Sequence, residues 1–161
     1  MSDPQPIILC VKSPSMATEA MASLQPEYEG MILILTARQV HLTFNTVIHV
    51  IPSAAAGACD IPDLLRGVTL SPPEPHNLGT QNYSKMAVAV VAGRMFDDES
   101  FTKMRDACKG RSNVPWLRQD LSKPELQFGH GYAESMTVRI KACLSNLAAE
   151  KRFHQDGVYL Y

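Results

Sequence analysis

Three short stretches of the chain carry side chains that could hold an anion. Lys12, Ser13 and Ser15 follow one apolar run, Gly93, Arg94 and Asp97 follow a second, and Arg118 and Asp120 follow a third. Three cations, two hydroxyls and the free N–H groups of a helix start are the donors that cradle a phosphate or carboxylate. The bland alternative is that loop residues are polar because loops are wet. A fourth stretch, Gly129-His130-Gly131-Tyr132, pairs glycines that admit close backbone approach with a histidine that changes charge near neutral pH. The competing reading of His130 is a loop at a helix start, because a lone histidine without a visible partner is not a catalytic constellation. No residue is assigned a catalytic role on this basis.

Several established chemistries are disfavoured by motif. After the first apolar run a dinucleotide binder would read G-x-G-x-x-G, whereas this chain reads Lys12-Ser-Pro-Ser-Met-Ala-Thr, without a glycine. There is no phosphate-loop motif, no G-x-S-x-G elbow and no H-E-x-x-H helix. The histidines 41, 49, 76, 130 and 154 lack metal-ligand spacing, so no metal site is expected. Cys10, Cys59, Cys108 and Cys143 form no paired framework and read as reduced thiols of a cytoplasmic protein. Cys108 lies near Lys109 and Arg111, but its place at a helix end disfavours a thiolate. Trp116 and Phe128 could stack a ring, though single aromatics more often belong to a core.

The elements that would position these residues alternate in kind. Pro6 to Val11 is a continuous apolar run suited to a strand covered on both faces. Ser13 as N-cap and Pro14 at the first position open a helix to Leu24, with Met16, Ala20 and Leu24 on its apolar face. Two apolar runs, Met31 to Leu35 and Val40 to Ile51, fit either two strands or one strand plus an insertion. Asp60 and Pro62 read as the cap and first residue of a short helix. Ser71 to Tyr83, rich in proline, reads as an exposed loop. Met86 to Ala92 predicts a buried strand, Asp97-Asp98-Glu99 a helix start, and Lys109-Gly110 its end. Val114 to Leu117 predicts a strand that Pro115 places at an edge. A final helix is expected over about Tyr132 to Phe153, followed by a docked tail, Gly157 to Tyr161.

This order predicts a single α/β domain: a three-layer, open, mainly parallel sheet of four or five strands, Rossmann-like or flavodoxin-like, with helices on both faces. A chain of 161 residues with 45% hydrophobic residues can bury such a core unaided. No apolar run reaches the length of a membrane span and no signal peptide is legible, so a soluble protein is expected. The balance of 15 Lys+Arg against 16 Asp+Glu contains no basic stripe and places nucleic-acid binding last.

At Leu24-Gln-Pro-Glu-Tyr-Glu, Val47-Ile-His-Val-Ile, Ile61-Pro-Asp-Leu-Leu-Arg-Gly, Val114-Pro-Trp-Leu-Arg-Gln-Asp and Asp156-Gly-Val-Tyr-Leu-Tyr, the chain resembles a family of small uncharacterised fungal proteins. These look like Rossmann or flavodoxin-type single domains, loosely similar to the N-terminal domain of D-2-hydroxyacid dehydrogenases. The resemblance implies a fold and no assigned reaction. Its members look glycine-containing after the first strand, where this chain has Lys12-Ser13-Pro14. It also implies that Tyr28-Glu29 runs directly into Val47, which makes residues 30–46 a candidate insertion. Gly30-Met31, Leu42-Thr43 and Asn45-Thr46-Val47 are codable as a donor, a branch point and an acceptor of an unspliced intron. A genuine hairpin or extra helix is the alternative, and genomic DNA decides between them.

Three functions remain open at this level. The first is a domain binding an anionic metabolite or nucleotide-like ligand through Lys12, Ser13, Ser15, Arg94, Arg118, Asp120 and His130. The second is a non-catalytic interaction protein or accessory subunit, with a homodimer among its forms. The third is an oxidoreductase-like protein using NAD(P) or flavin, although the sequence specifies no cofactor.

Overall fold

Ile7, Ile8, Leu9 and Cys10 are each at most 1% exposed, and four consecutive buried residues in a strand require cover on both faces. In the computed structural model, which describes residues 5–24, 45–70, 76–124 and 131–161, they lie in β1 (Gln5–Cys10). Four further strands follow, β2 (Asn45–Ile51), β3 (Ala89–Ala92), β4 (Pro115–Arg118) and β5 (Gly157–Leu160). They form one sheet in the order β2-β1-β3-β4-β5, with every pairing parallel. This is the flavodoxin-like order, whose direction of winding reverses between β1 and β3. The expected α/β sheet with helices on both faces is present.

Alternation along β1 divides the core into two layers. Ile7 and Leu9, with Val11 just beyond the strand, pack with α1 (Pro14–Leu24) and α4 (Tyr132–Ala149). Ile8 and Cys10 face α2 (Ala54–Leu64) and α3 (Asp98–Ala107). In α1 the Ser13 carbonyl accepts from the Ala17 N–H, and Ala17, Ala20 and Leu24 are the residues it buries. Met16 packs at the margin of that core. The α2–α3 contact is close at Gly57, where a Cβ would lie 2.4 Å from Met104 Sδ.

Several boundaries differ from the sequence reading. Asp60 does not cap a helix that opens at Pro62. Ser53 is the cap, accepting from the Ala56 N–H, and Pro62 lies inside α2 near its end, where only one intrahelical donor is lost. Pro115 does not mark an edge. It is the first residue of β4, where a missing N–H is tolerated, and β5 pairs on β4's far side. The expected docked tail is therefore the edge strand. The expected strand from Met86 is regular only from Ala89, and Met86 is exposed. The last helix stops at Ala149 rather than Phe153, and Lys151 adopts a positive φ of 57° as the chain turns.

Residues 76–83 run along the surface, yet they are anchored to the outer edge of β2. The Thr80 and Gln81 N–H groups donate to the Val47 and Ile48 carbonyls at 3.0 and 2.9 Å. Asn77 Oδ1 accepts from the Val50 N–H, and its Nδ2 donates to the Val50 carbonyl and to His49 Nε2. Because that ring nitrogen accepts, His49 carries its proton on Nδ1 and donates it to the Tyr83 hydroxyl at 2.8 Å. Gly79 is required by space: a Cβ there would lie 2.5 Å from the Ile48 carbonyl oxygen. The segment thus covers an edge that would otherwise present unpaired backbone groups. Of the candidate insertion 30–46, Asn45 and Thr46 belong to β2, paired with Gln5 and Pro6, and the remainder lies outside the described residues. The apolar run Met31 to Leu35 lies outside them as well. Among the described residues no helix is long and apolar enough to cross a membrane.

Candidate functional site

In open parallel sheets the ligand crevice lies beyond the carboxyl ends of the strands, at the point where the winding reverses. Here that point is flanked by the loop after β1, with Lys12 and Ser13, and the loop after β3, with Gly93 and Arg94. The two loops approach closely, and the Gly93 N–H donates to the Cys10 carbonyl at 3.0 Å. The cleft they enclose with Met16, Phe96, Tyr132 and Met136 leaves about 20 Å³. That is room for about one water molecule. The fold's usual binding position is filled by the protein's own side chains.

A set of buried polar contacts ties the neighbouring strand ends together. Tyr161, 2% exposed, sends its hydroxyl to the Ala92 carbonyl at the end of β3, at 3.1 Å. Its backbone continues the β4 ladder, donating to the Arg118 carbonyl and accepting from the Asp120 N–H. Burial pushes the Tyr161 phenol and the Cys10 thiol well above their ordinary pKa, so both stay neutral. The Tyr132 hydroxyl donates to Gln119 Oε1 at 3.3 Å. Of these aromatic residues only Tyr132 belongs to a stretch singled out in the sequence, and there the interest lay in the glycines and His130.

A second cleft opens one strand further along, between the loops after β3 and β4. It measures about 220 Å³ and is lined by Gly93, Arg94, Phe96, Asp97, Asp98, Arg118, Gln119 and Leu121. Arg118 leaves the end of β4, and its guanidinium carbon lies 4.7 Å from the centre of the Phe101 ring. Phe101 is itself held edge-on against Trp116, with ring centres 5.7 Å apart. Stacking of this kind fixes the plane of a guanidinium and leaves its N–H groups to point outward. Arg118 Nη1 is paired with Asp98 Oδ1 at 2.8 Å; the arginine side chain is 23% exposed and the aspartate 91%.

The carboxylates of this region have different employments. Asp97 caps α3 by accepting from the Ser100 N–H at 2.8 Å, and that hydrogen bond lowers its pKa below the usual carboxylate value. Asp120 accepts from the Ser122 hydroxyl and N–H, which lowers its pKa in the same way, and its carboxylate lies 3.8 Å from Lys123. It does not line either cleft. Lys12 Nζ sits 5.4 Å from the centre of the Phe96 ring. Ser13 and Ser15 share a hydrogen bond at 3.0 Å, and Ser13 Oγ also accepts from the Met16 N–H at the start of α1.

Of the residues expected from sequence, the structure therefore gathers Lys12, Ser13 and Arg94 about the small cleft, and Arg94 and Arg118 about the larger one. Ser15 and Asp120 are in neither lining. His130 and Phe128 lie outside the described residues. Asp98 and Phe101, which hold Arg118, were legible only as helix-start acid and helix core. A larger cleft of about 390 Å³ lies near the amino ends of β3 and β4, but its lining, which includes Asn113 and His154, offers no lysine or arginine. Among the described residues no group of three or more His, Cys, Asp and Glu side chains is placed to hold a metal ion.

No protein family model, no curated protein and no solved structure matches the chain, so the reading of the site rests on its geometry.

Proposed function

We propose that this protein binds a small anionic metabolite, bearing a carboxylate or phosphate, in the cleft between the β3 and β4 loops. The observation that carries the reading is Arg118: a guanidinium oriented by Phe101 at the wall of a 220 Å³ cleft, engaged by a carboxylate that is 91% exposed. An ion pair with so exposed a partner is worth between zero and about 1 kcal/mol, so an incoming anion displaces Asp98 at little cost. The carboxylate of Asp98 then marks the position a ligand's anionic group would take. Arg94 lines the same cleft and supplies the second cation.

Size bounds the ligand. Pockets for drug-sized molecules run to roughly 300–1,000 Å³, so 220 Å³ suits a compact acid or phosphoester. A dinucleotide or flavin would need the switch-point crevice, which keeps about 20 Å³, and a glycine-rich first loop, which the chain lacks. The oxidoreductase reading therefore ranks below the binding one. Among the described residues no general acid, base or nucleophile stands in the cleft with its partner, and the role proposed here is binding.

Thermal shift with inorganic phosphate, malonate, succinate and small phosphoesters tests the proposal. At least one of these compounds raises the melting temperature, and Arg118→Ala and Arg94→Ala each abolish the rise. A set of anions that leaves the wild-type melting temperature unchanged overturns it.

A further inference from the structure

Buried polar side chains need partners, and one in this molecule is only half supplied. Among the described residues, the tyrosines apart, the buried polar side chains are His49, Gln119 and Thr137. His49 is held by Asn77 and Tyr83, and the Thr137 hydroxyl donates to the Glu134 carbonyl at 2.8 Å. Gln119, 6% exposed, belongs to the lining of the 220 Å³ cleft. It follows Arg118 at the end of β4, and alternation sends the two side chains to opposite sides of the sheet. Arg118 turns toward Phe101 of α3, whereas Gln119 turns toward Tyr132 of α4, whose hydroxyl donates to its Oε1 at 3.3 Å. That contact fixes which end of the amide is left over. Nε2, with two N–H donors, has no hydrogen-bond partner among the described residues. A buried donor without an acceptor is costly, so the free end of the amide is matched by whatever occupies the cleft.

We infer that Gln119 selects the ligand: the compact acid carries, beside its anionic group, a neutral carbonyl oxygen that accepts a hydrogen bond from Gln119 Nε2. This rests on the binding reading of the cleft and adds a second point of recognition to it. The lining groups divide the work by charge. Arg94 and Arg118 are the cations, and a carboxylate or phosphate is their natural partner. Gln119 is neutral, and a neutral donor discriminates where a cation does not. An isostere that lacks the carbonyl oxygen leaves the amide unpaired in a dry position, and the site rejects it for that reason. The carboxylates of the lining are engaged elsewhere, Asp97 by the Ser100 N–H and Asp98 by Arg118. With Oε1 held by Tyr132, the amide offers no acceptor, so a carbonyl suits it and an ammonium does not. Tyr132 is accordingly a positioning residue, because without its hydroxyl the amide is free to turn over.

Chemical-shift titration of the full chain with matched acids is the test. Three pairs set a carbonyl at successive distances from the carboxylate, each against an isostere with a methyl-bearing carbon in its place: pyruvate and isobutyrate, acetoacetate and isovalerate, levulinate and isocaproate. Malonate and inorganic phosphate report anion binding alone. At least one oxo acid binds about 3- to 30-fold more tightly than its isostere, and Gln119→Met brings that ratio to about one. Tyr132→Phe, which keeps the ring in the core, lowers the ratio as well. A merely structural role for Gln119 would weaken both members of a pair alike. Wild-type ratios near one in all three pairs, with malonate or phosphate still bound, overturn the inference and leave the anion site standing. A ratio that survives Gln119→Met overturns it too. A protein that binds none of these acids and no phosphate loses the anion site and this inference together.

Discussion

Asn77→Ala probes the device that covers the β2 edge of the sheet. Among the described residues the Asn77 amide makes four hydrogen bonds: it accepts from the Val50 and Gly79 N–H groups and donates to the Val50 carbonyl and His49 Nε2. Each such bond contributes roughly 0.5–1.5 kcal/mol net, and removing one partner of a buried group exacts the desolvation penalty of the other. Val50 is 5% exposed and His49 fully buried, so water replaces the lost partners only if residues 76–83 lift away. Losing the four bonds with partial rehydration gives about 2–4 kcal/mol of destabilisation. At this chain length that corresponds to a fall in Tm of roughly 5–15 °C. Urea unfolding checks the size, and hydrogen exchange at the Val50, Thr80 and Gln81 amides, accelerated in the variant, checks the cause. A Tm within a degree of wild type would refute the assignment of this loop as an anchored edge cover.

Gly79→Ala attacks the same anchor by volume, since its Cβ would sit 2.5 Å from the Ile48 carbonyl oxygen and 2.6 Å from the His49 nitrogen. A loss of about 1–3 kcal/mol is expected in urea unfolding, and the double variant with Asn77→Ala loses less than the sum of the two. Thiol titration of the native protein with a disulfide reagent should label Cys59 rapidly. Cys10 and Cys108 react slowly because they are buried, and burial pushes the Cys108 thiol up to about 11 despite the nearby Arg111. Rapid labelling of Cys108 would contradict this. The pKa of Asp97 is lowered in the folded protein, so its charge-dependent contribution is complete above the unfolded value of about 3.9 and is lost as pH falls through the lower folded value. The stability gap between wild type and Asp97→Asn should therefore be open at neutral pH and closed in strong acid, and a gap that does not change with pH would contradict the assignment.

The parts of this fold set by local chemistry were legible in the residues. The uninterrupted run Ile7 to Cys10, the Ser13-Pro14 helix start and the helix start at Asp97-Asp98-Glu99 are set by short-range chemistry, and each is present. What failed depended on tertiary context. Pro62 and Pro115 carry the same signal as a helix opener and an edge proline, and only the Ser53 cap and the pairing of β5 decide their places. The tail 157–160 is too short for periodicity to distinguish a strand from a docked end. The candidate loops followed from the rule that ligands gather at strand ends, which selected Arg94 and Arg118. That rule could not find Phe101 and Asp98, because a helix-core aromatic and a helix-start acid become parts of a site only once α3 packs beside β4. Nor could it foresee that Tyr132 and Met136 close the switch point.

Anion titration of Asp98→Asn beside wild type and Arg118→Ala tests the central claim most directly. If Asp98 occupies the ligand's place on Arg118, neutralising it frees the guanidinium and tightens binding of the anion found by thermal shift by about 1.5- to 5-fold, the equivalent of a surface ion pair. Arg118→Ala shows no saturable binding in the same calorimetric titration. Equal affinity in all three proteins would contradict the account.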